Sequence, residues 1–129
     1  MKTLITFVLS IFLISACSQG NAQENMTVSE LNAISFNEGN NKVVLDVRTS
    51  QEYAEGRIPG SENIDVLKTD LFTTSITKLD KDKTYYVICR SGSRSQTAAS
   101  QMRNAGFKNV INITGGMQAW EAANFPVEK

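Results

Sequence analysis

The chain contains no histidine. Without imidazole there is no Cys-His or Ser-His-Asp nucleophile, and no ordinary zinc constellation can be assembled. Neither sign of charge is in excess: thirteen basic and thirteen acidic residues give a formal net charge of zero. Nothing global therefore recommends nucleic acid or an anionic membrane surface as a partner, and any preference for anions has to be local. Cysteine is also scarce, with only Cys17 and Cys89 in 129 residues. Repeats and low-complexity tracts are absent, and 41% apolar with 20% charged residues is the composition of one ordinary globular domain.

The first residues read as something other than fold. Lys2, an apolar stretch from Leu4 to Ile14 too short to span a bilayer comfortably, and the small Ser15 and Ala16 make a secretion signal over residues 1–16. Leu13-Ile14-Ser15-Ala16-Cys17 resembles the lipobox of bacterial lipoproteins. That resemblance implies that Cys17 is diacylated and becomes the new N-terminus; a conventional signal peptide cut near Ala22 is the alternative. Ser18, in place of an aspartate, implies by the same resemblance an outer membrane facing the periplasm if the envelope is Gram-negative. Residues 17–25 would then be the lipidated cysteine and a polar tether reaching at most about 30 Å. Residues 26–129 would be the folded domain.

Lipidation of Cys17 would leave Cys89 as the sole thiol, so no intramolecular disulfide could form. Cys89 ends the β-branched and aromatic run Tyr85-Tyr86-Val87-Ile88 and is followed by Arg90-Ser91-Gly92-Ser93-Arg94 and a helix-forming segment. A strand that stops, turns through small residues and enters a helix aims backbone N–H groups and the positive helix end at the sulfur. Arg90 and Arg94 add positive charge in the same turn. The thiol is expected to be acidic and the loop to attract an anion. A lone cysteine at a strand end is commonly a small core residue. Two arginines around it would serve no packing purpose, which favours a nucleophile.

Along the rest of the chain, strand and helix alternate. Thr27 with Glu30 and Thr49 with Glu52 have capping-box spacing, Met26 and Leu31 completing a hydrophobic staple at the first. These predict helices over Val28–Phe36 and from Thr49 to near Gly56. The unalternating run 42–47 predicts a strand covered on both faces, Ser61 to Val66 a brief strand, and Phe72, Ile76 and Leu79 a helix. Ala98, Met102 and Ala105 mark a helix stopped by Gly106 with Phe107 packing back. Val110 to Thr114 predicts a last strand, and Gly115-Gly116 opens a helix carrying Trp120, expected in the core. The pattern predicts an α/β open sheet of four or five mostly parallel strands with helices on both faces and the site at a strand's carboxyl end.

Several of these segments together resemble the rhodanese-like sulfurtransferases over roughly Met26 to Asn124. They are Leu45-Asp46-Val47-Arg48 with Glu52 and Tyr53, Gly56-Arg57-Ile58-Pro59-Gly60-Ser61-Glu62-Asn63-Ile64, the loop Cys89-Arg90-Ser91-Gly92-Ser93-Arg94, and Gly115-Gly116 with Trp120. The chain departs from the family at Arg57, where histidine is usual, and Ser61, where alanine is usual. The resemblance implies that Cys89 takes a sulfane sulfur from thiosulfate or a polysulfide, carries it as a persulfide and passes it to a thiol or cyanide. It implies Arg90, Ser91, Gly92, Ser93 and Arg94 as substrate-binding residues. Asp46 and Arg48, beside a helix start, are weaker candidates behind them, Asp46 as a group orienting the loop, the alternative being a structural pair with a capping residue such as Glu52. No cofactor and no metal are implied. The partners expected are a small sulfur-containing anion and a thiol or dithiol acceptor such as a thioredoxin-like protein of the envelope. A monomer is expected, held to the membrane by its lipid.

Two rivals remain at this level. One is a non-catalytic carrier, redox sensor or binding module using Cys89. The other is a phosphatase or arsenate reductase, which resembles C-x5-R, whereas Cys89 to Arg94 is C-x4-R with Ser95 at the position an arginine would occupy. The shorter loop weighs against it.

Overall fold

Val43, Val44 and Leu45 are apolar in succession because the strand they belong to is covered on both faces. The structure is a computed structural model describing residues 24–129 apart from positions 38 and 40. The proposed signal (1–16), Cys17 and most of the tether lie outside the described residues. The elements run β1 (Asn25–Met26), α1 (Val28–Asn32), β2 (Lys42–Asp46), α2 (Ser50–Glu55) and β3 (Glu62–Asn63). They continue with α3 (Thr69–Ile76), β4 (Thr84–Ile88), α4 (Ser93–Asn104), β5 (Asn109–Ile113) and α5 (Gly116–Ala122). The five strands form one sheet in the order β1-β5-β4-β2-β3, and every pairing is parallel.

The period of two along each strand divides the interior into two cores. Leu45 and Val47, Tyr85, Val87 and Cys89, and Val110 face α3 and α4, where they meet Phe72, Ile76, Ala98 and Met102. Val44, Tyr86, Ile88 and Ile113 face the other way, onto Val28, Leu31, Met117 and Trp120 of α1 and α5. This α/β sheet with helices on both faces is the architecture that the alternation of elements predicts. Among the described residues, no helix is long and apolar enough to cross a membrane.

Local signals hold where the chemistry is short-range. Both capping boxes close, with Thr27 accepting from the Glu30 N–H and Thr49 from the Glu52 N–H. Gly106 ends α4 as a Schellman motif: its N–H donates to Arg103 O at 3.0 Å, and that of Phe107 to Met102 O at 3.1 Å.

Several boundaries move. α3 ends at Ile76, leaving Leu79 in a tighter turn beyond it, its N–H donating to Ile76 O at 3.1 Å. α1 stops at Asn32 rather than Phe36, because Ile34 reaches the core through a tighter turn, its N–H donating to Leu31 O. Phe36 departs to meet Tyr86 edge-on at 5.7 Å. β3 is two residues long, although Ile64 and Val66 still donate to Asp46 and Val47 carbonyls. Asn25, assigned to the tether by its polarity, is paired with Asn112 at the sheet edge. Edge pairing uses the backbone and so leaves little trace in side-chain pattern.

Candidate active site

Cys89 follows the last residue of β4, at the carboxyl end of the sheet's middle strand, and is 1% exposed. The loop after it is pulled from behind by α5. The N–H groups of Met117 and Gln118, in the first turn of that helix where no intrahelical partner exists, donate to the carbonyls of Cys89 and Arg90 at 2.8 and 3.0 Å. Turning the Arg90 carbonyl toward α5 turns the Ser91 N–H, trans to it across the same peptide, toward the sulfur. Gly92, at φ 107°, makes the reversal into α4, and its N–H donates to Cys89 Sγ at 3.1 Å. A side chain at that φ would be strained.

Ser95, in the first turn of α4, closes the pocket from the other side. The Cys89 thiol donates to Ser95 Oγ at 3.3 Å, and the Ser95 hydroxyl donates to Asn112 Oδ1 at 2.6 Å. Burial pushes the Cys89 thiol up, but hydrogen bonds donated to its thiolate form by the Ser95 hydroxyl and by the backbone N–H groups of Ser95, Gly92 and Ser91 outweigh it, holding the thiol below its ordinary value. The acidification expected from the sequence is therefore present; hydrogen bonds carry most of it, and the Arg94 guanidinium interacts with the sulfur through its charge.

The arginines are placed differently from one another. Arg94 makes a fork with Glu52 of α2, both contacts at 2.8 Å. That hydrogen-bonded guanidinium, aided by Thr49, holds Glu52 at about 2 against the partial desolvation of the carboxyl. Arg90 is exposed, and its side chain has no hydrogen bond or ion pair among the described residues. It borders a cavity of about 350 Å³ together with Arg48, Glu52, Glu55, Gln118 and Glu121. Ser91, Gly92 and Ser93 line a second cavity, of about 470 Å³, with Asn25, Asn112 and Thr114.

Asp46 and Arg48 form a buried pair at 2.7 Å, and Arg48 also donates to Gly56 O at 2.7 Å. By alternation they sit on the α5 side of the sheet, opposite Cys89. Arg48 reaches the cavity bordered by Arg90, whereas the Asp46 side chain bonds no residue of the Cys89 loop among the described contacts. Arg57 pairs with Glu128 and lies over the Tyr53 ring, and Trp120 is in the core with its N–H on Pro126 O. Sequence reasoning did not assign roles to Ser95 and Asn112. The parity that puts Val110 and Asn112 on the Cys89 face was the available signal, but it required the strand neighbours to be known. Among the described residues no group of acidic, histidine or cysteine side chains could hold a metal ion.

The described residues thus define a parallel α/β domain of the cysteine-loop class, its single described cysteine set in a strand-to-helix loop of converging N–H groups. The chain belongs to the rhodanese family, whose model, described as the Rhodanese-like domain, matches residues 27–123. The thiosulfate sulfurtransferase GlpE of Ectopseudomonas mendocina is 38% identical over 89 residues, which cover 69% of this chain and 78% of that one. A protein of Allochromatium vinosum named a sulfurtransferase is 32% identical over 85 residues, 66% of this chain and 77% of its own. Among solved structures, a rhodanese-related protein from Thermoplasma volcanium superposes with a TM-score of 0.68 at 30% identity, covering 81% of this chain and 97% of that chain.

Proposed function

We propose that the protein is a sulfurtransferase that works through a persulfide on Cys89. The observation carrying this reading is the sulfur itself, buried in a cradle whose hydrogen bonds hold the thiol below its ordinary value, the Gly92 N–H donating to it at 3.1 Å. The Cys89 thiolate attacks the sulfane sulfur of thiosulfate, the S–S bond of the donor breaks, and sulfite leaves with the electron pair. Negative charge then rests on the terminal sulfur of the persulfide, where preorganised N–H groups of the Ser91–Ser95 segment receive it. Cyanide or an acceptor thiolate attacks that terminal sulfur, and Cys89 thiolate is regenerated. Arg90, exposed and with its side chain unpaired among the described residues, draws the anionic donor toward the loop.

Intact-mass measurement after thiosulfate treatment tests this. The reading requires a gain of one sulfur, absent in Cys89→Ser and reversed by cyanide with formation of thiocyanate. An adduct without turnover would instead support a carrier or sensor. Phosphate release from aryl phosphates with thiosulfate inert would support the phosphatase reading, which lacks a guanidinium where the buried Ser95 stands.

The sequence around Cys17 adds an anchor to this proposal: a diacylated N-terminus holding the domain at the bacterial envelope, with a thiol or dithiol protein there as acceptor. Detergent partition of the expressed protein, lost in Cys17→Ser, is the corresponding measurement.

A further inference from the structure

Cys89, Ser95, Asn112 and Asn25 form one continuous chain of hydrogen bonds. The thiol donates to Ser95 Oγ at 3.3 Å, Ser95 donates to Asn112 Oδ1 at 2.6 Å, and Asn112 Nδ2 donates to Asn25 Oδ1 at 3.2 Å. Along this chain each donor points away from the sulfur. This polarity suits a neutral thiol, since Ser95 has one hydroxyl proton and directs it to Asn112. A thiolate can only accept, so the hydroxyl must turn to the sulfur. Ser95 Oγ then needs a donor in place of an acceptor. The amide of Asn112 supplies one by turning over, because its two ends have nearly the same shape and opposite hydrogen-bonding character.

We propose that Asn112 is a positioning residue whose amide orientation, held from outside by Asn25, decides whether Ser95 donates to or accepts from the Cys89 sulfur. Turning over costs little at the outer end. Asn25 is exposed on the edge strand, and both asparagines border the 470 Å³ cavity beside the loop. Asn112 itself is 4% exposed, which makes an unsatisfied amide there costly and couples the four groups. β5 contributes no charge to this face. The charged groups around this end of the sheet include Asp46 at the end of β2 with Arg48 after it, Glu52 and Glu55 of α2, Arg94 of α4, Asp65, Arg90, Glu121 of α5 and, next to Asn25, Glu24. Of these Arg94 also acts on the sulfur through its charge, whereas the relay works through an uncharged amide.

The inference rests on Cys89 being the sulfur-accepting nucleophile, and it is tested without sulfur transfer. The rate of Cys89 alkylation by iodoacetamide is followed against pH in the full chain, in variants whose folding is checked by circular dichroism. Asn112→Asp can only accept from Ser95, so the hydroxyl stays turned away from the sulfur. The alkylation midpoint should rise by about one pH unit, an about tenfold slower reaction at neutral pH. The exposed Asn25→Asp, which pins the Asn112 N–H group outward, should raise it in the same direction. In a Ser95→Ala background both shifts should largely vanish, whereas Ser95→Thr should keep the parent profile. Equal shifts with Ser95 present and in the Ser95→Ala background would mean plain charge repulsion and overturn the relay, as would an unchanged midpoint in both aspartate variants. A cysteine that titrates as described but never takes sulfur from thiosulfate would overturn the proposed function and leave the relay standing.

Discussion

Glu52 and Arg94 lock the starts of two helices together across the mouth of the Cys89 loop. One carboxylate oxygen of Glu52 accepts from Arg94 at 2.8 Å and also from the Thr49 N–H and hydroxyl at 3.0 Å, while the other accepts from Arg94 at 2.8 Å. The residue that closes the capping box of α2 is thus the counter-ion of an arginine in the first turn of α4. Glu52 titrates near 2, well below the ordinary 4.5, so its contribution is complete at pH values above the unfolded carboxyl value and fades as pH falls from about 4.5 to about 2. After allowance for screening of a partly exposed pair it is of order 1–2 kcal/mol. Urea denaturation at neutral pH should show Glu52→Gln less stable by about that amount. The difference between parent and variant should close in acid.

Arg90 and Arg94 should separate in their effects. The Arg90 side chain has no protein partner among the described residues, so Arg90→Ala should leave stability within about 0.5 kcal/mol. If it draws in the donor, the second-order rate with thiosulfate should fall about tenfold, one charge-assisted contact, and the fall should shrink in high salt. Stopped-rate assays at two ionic strengths read both effects.

Asp46 is the counter-ion of a buried guanidinium. Asp46→Asn would leave Arg48 in the interior with only neutral acceptors such as Gly56 O. The expected loss is about 3–5 kcal/mol, because one partner of a buried pair is removed and the other stays. Thermal unfolding followed by far-ultraviolet dichroism measures it. The unpaired arginine faces the cavity bordered by Arg90, so this is a stability effect without a requirement that Asp46 touch substrate.

Gly116 lies against the back of the loop. A Cβ there would stand 2.5 Å from the Arg90 carbonyl carbon and from the Cys89 and Arg90 carbonyl oxygens, all of them backbone, and φ is 54°. Gly116→Ala should cost about 2–4 kcal/mol. It should also push the loop off the α5 donors, so the Cys89 alkylation midpoint should move up toward that of an ordinary thiol. A variant that loses stability with its alkylation profile unchanged would show that the α5 contacts do not aim the loop.

Much of this architecture is legible in local pattern. The capping boxes at Thr27 and Thr49, the Gly106 stop and the uninterrupted apolar run of β2 each depend on residues within a few positions of one another, so their chemistry is written in adjacent letters. Cys89 is legible for the same reason, since strand, turn and helix start are consecutive. The extent of α1 and β3 is less so, because Ile34 and Ser61 to Val66 take their conformation from the faces they pack on.

By itself the order of residues determined the alternation of strand and helix, the loop that holds Cys89 and the lack of any imidazole to assist it. Tertiary structure alone decided which groups meet the sulfur and which meet each other. Asn112 lies 17 residues from Ser95, and Glu52 lies 42 from Arg94. Such distances are closed only when parallel strands set β5 beside β4 and seat α4 and α2 at the same sheet end. Hydrogen bonding is directional and short-ranged, so a sequence can supply the donors and acceptors, but only the register of the sheet pairs them.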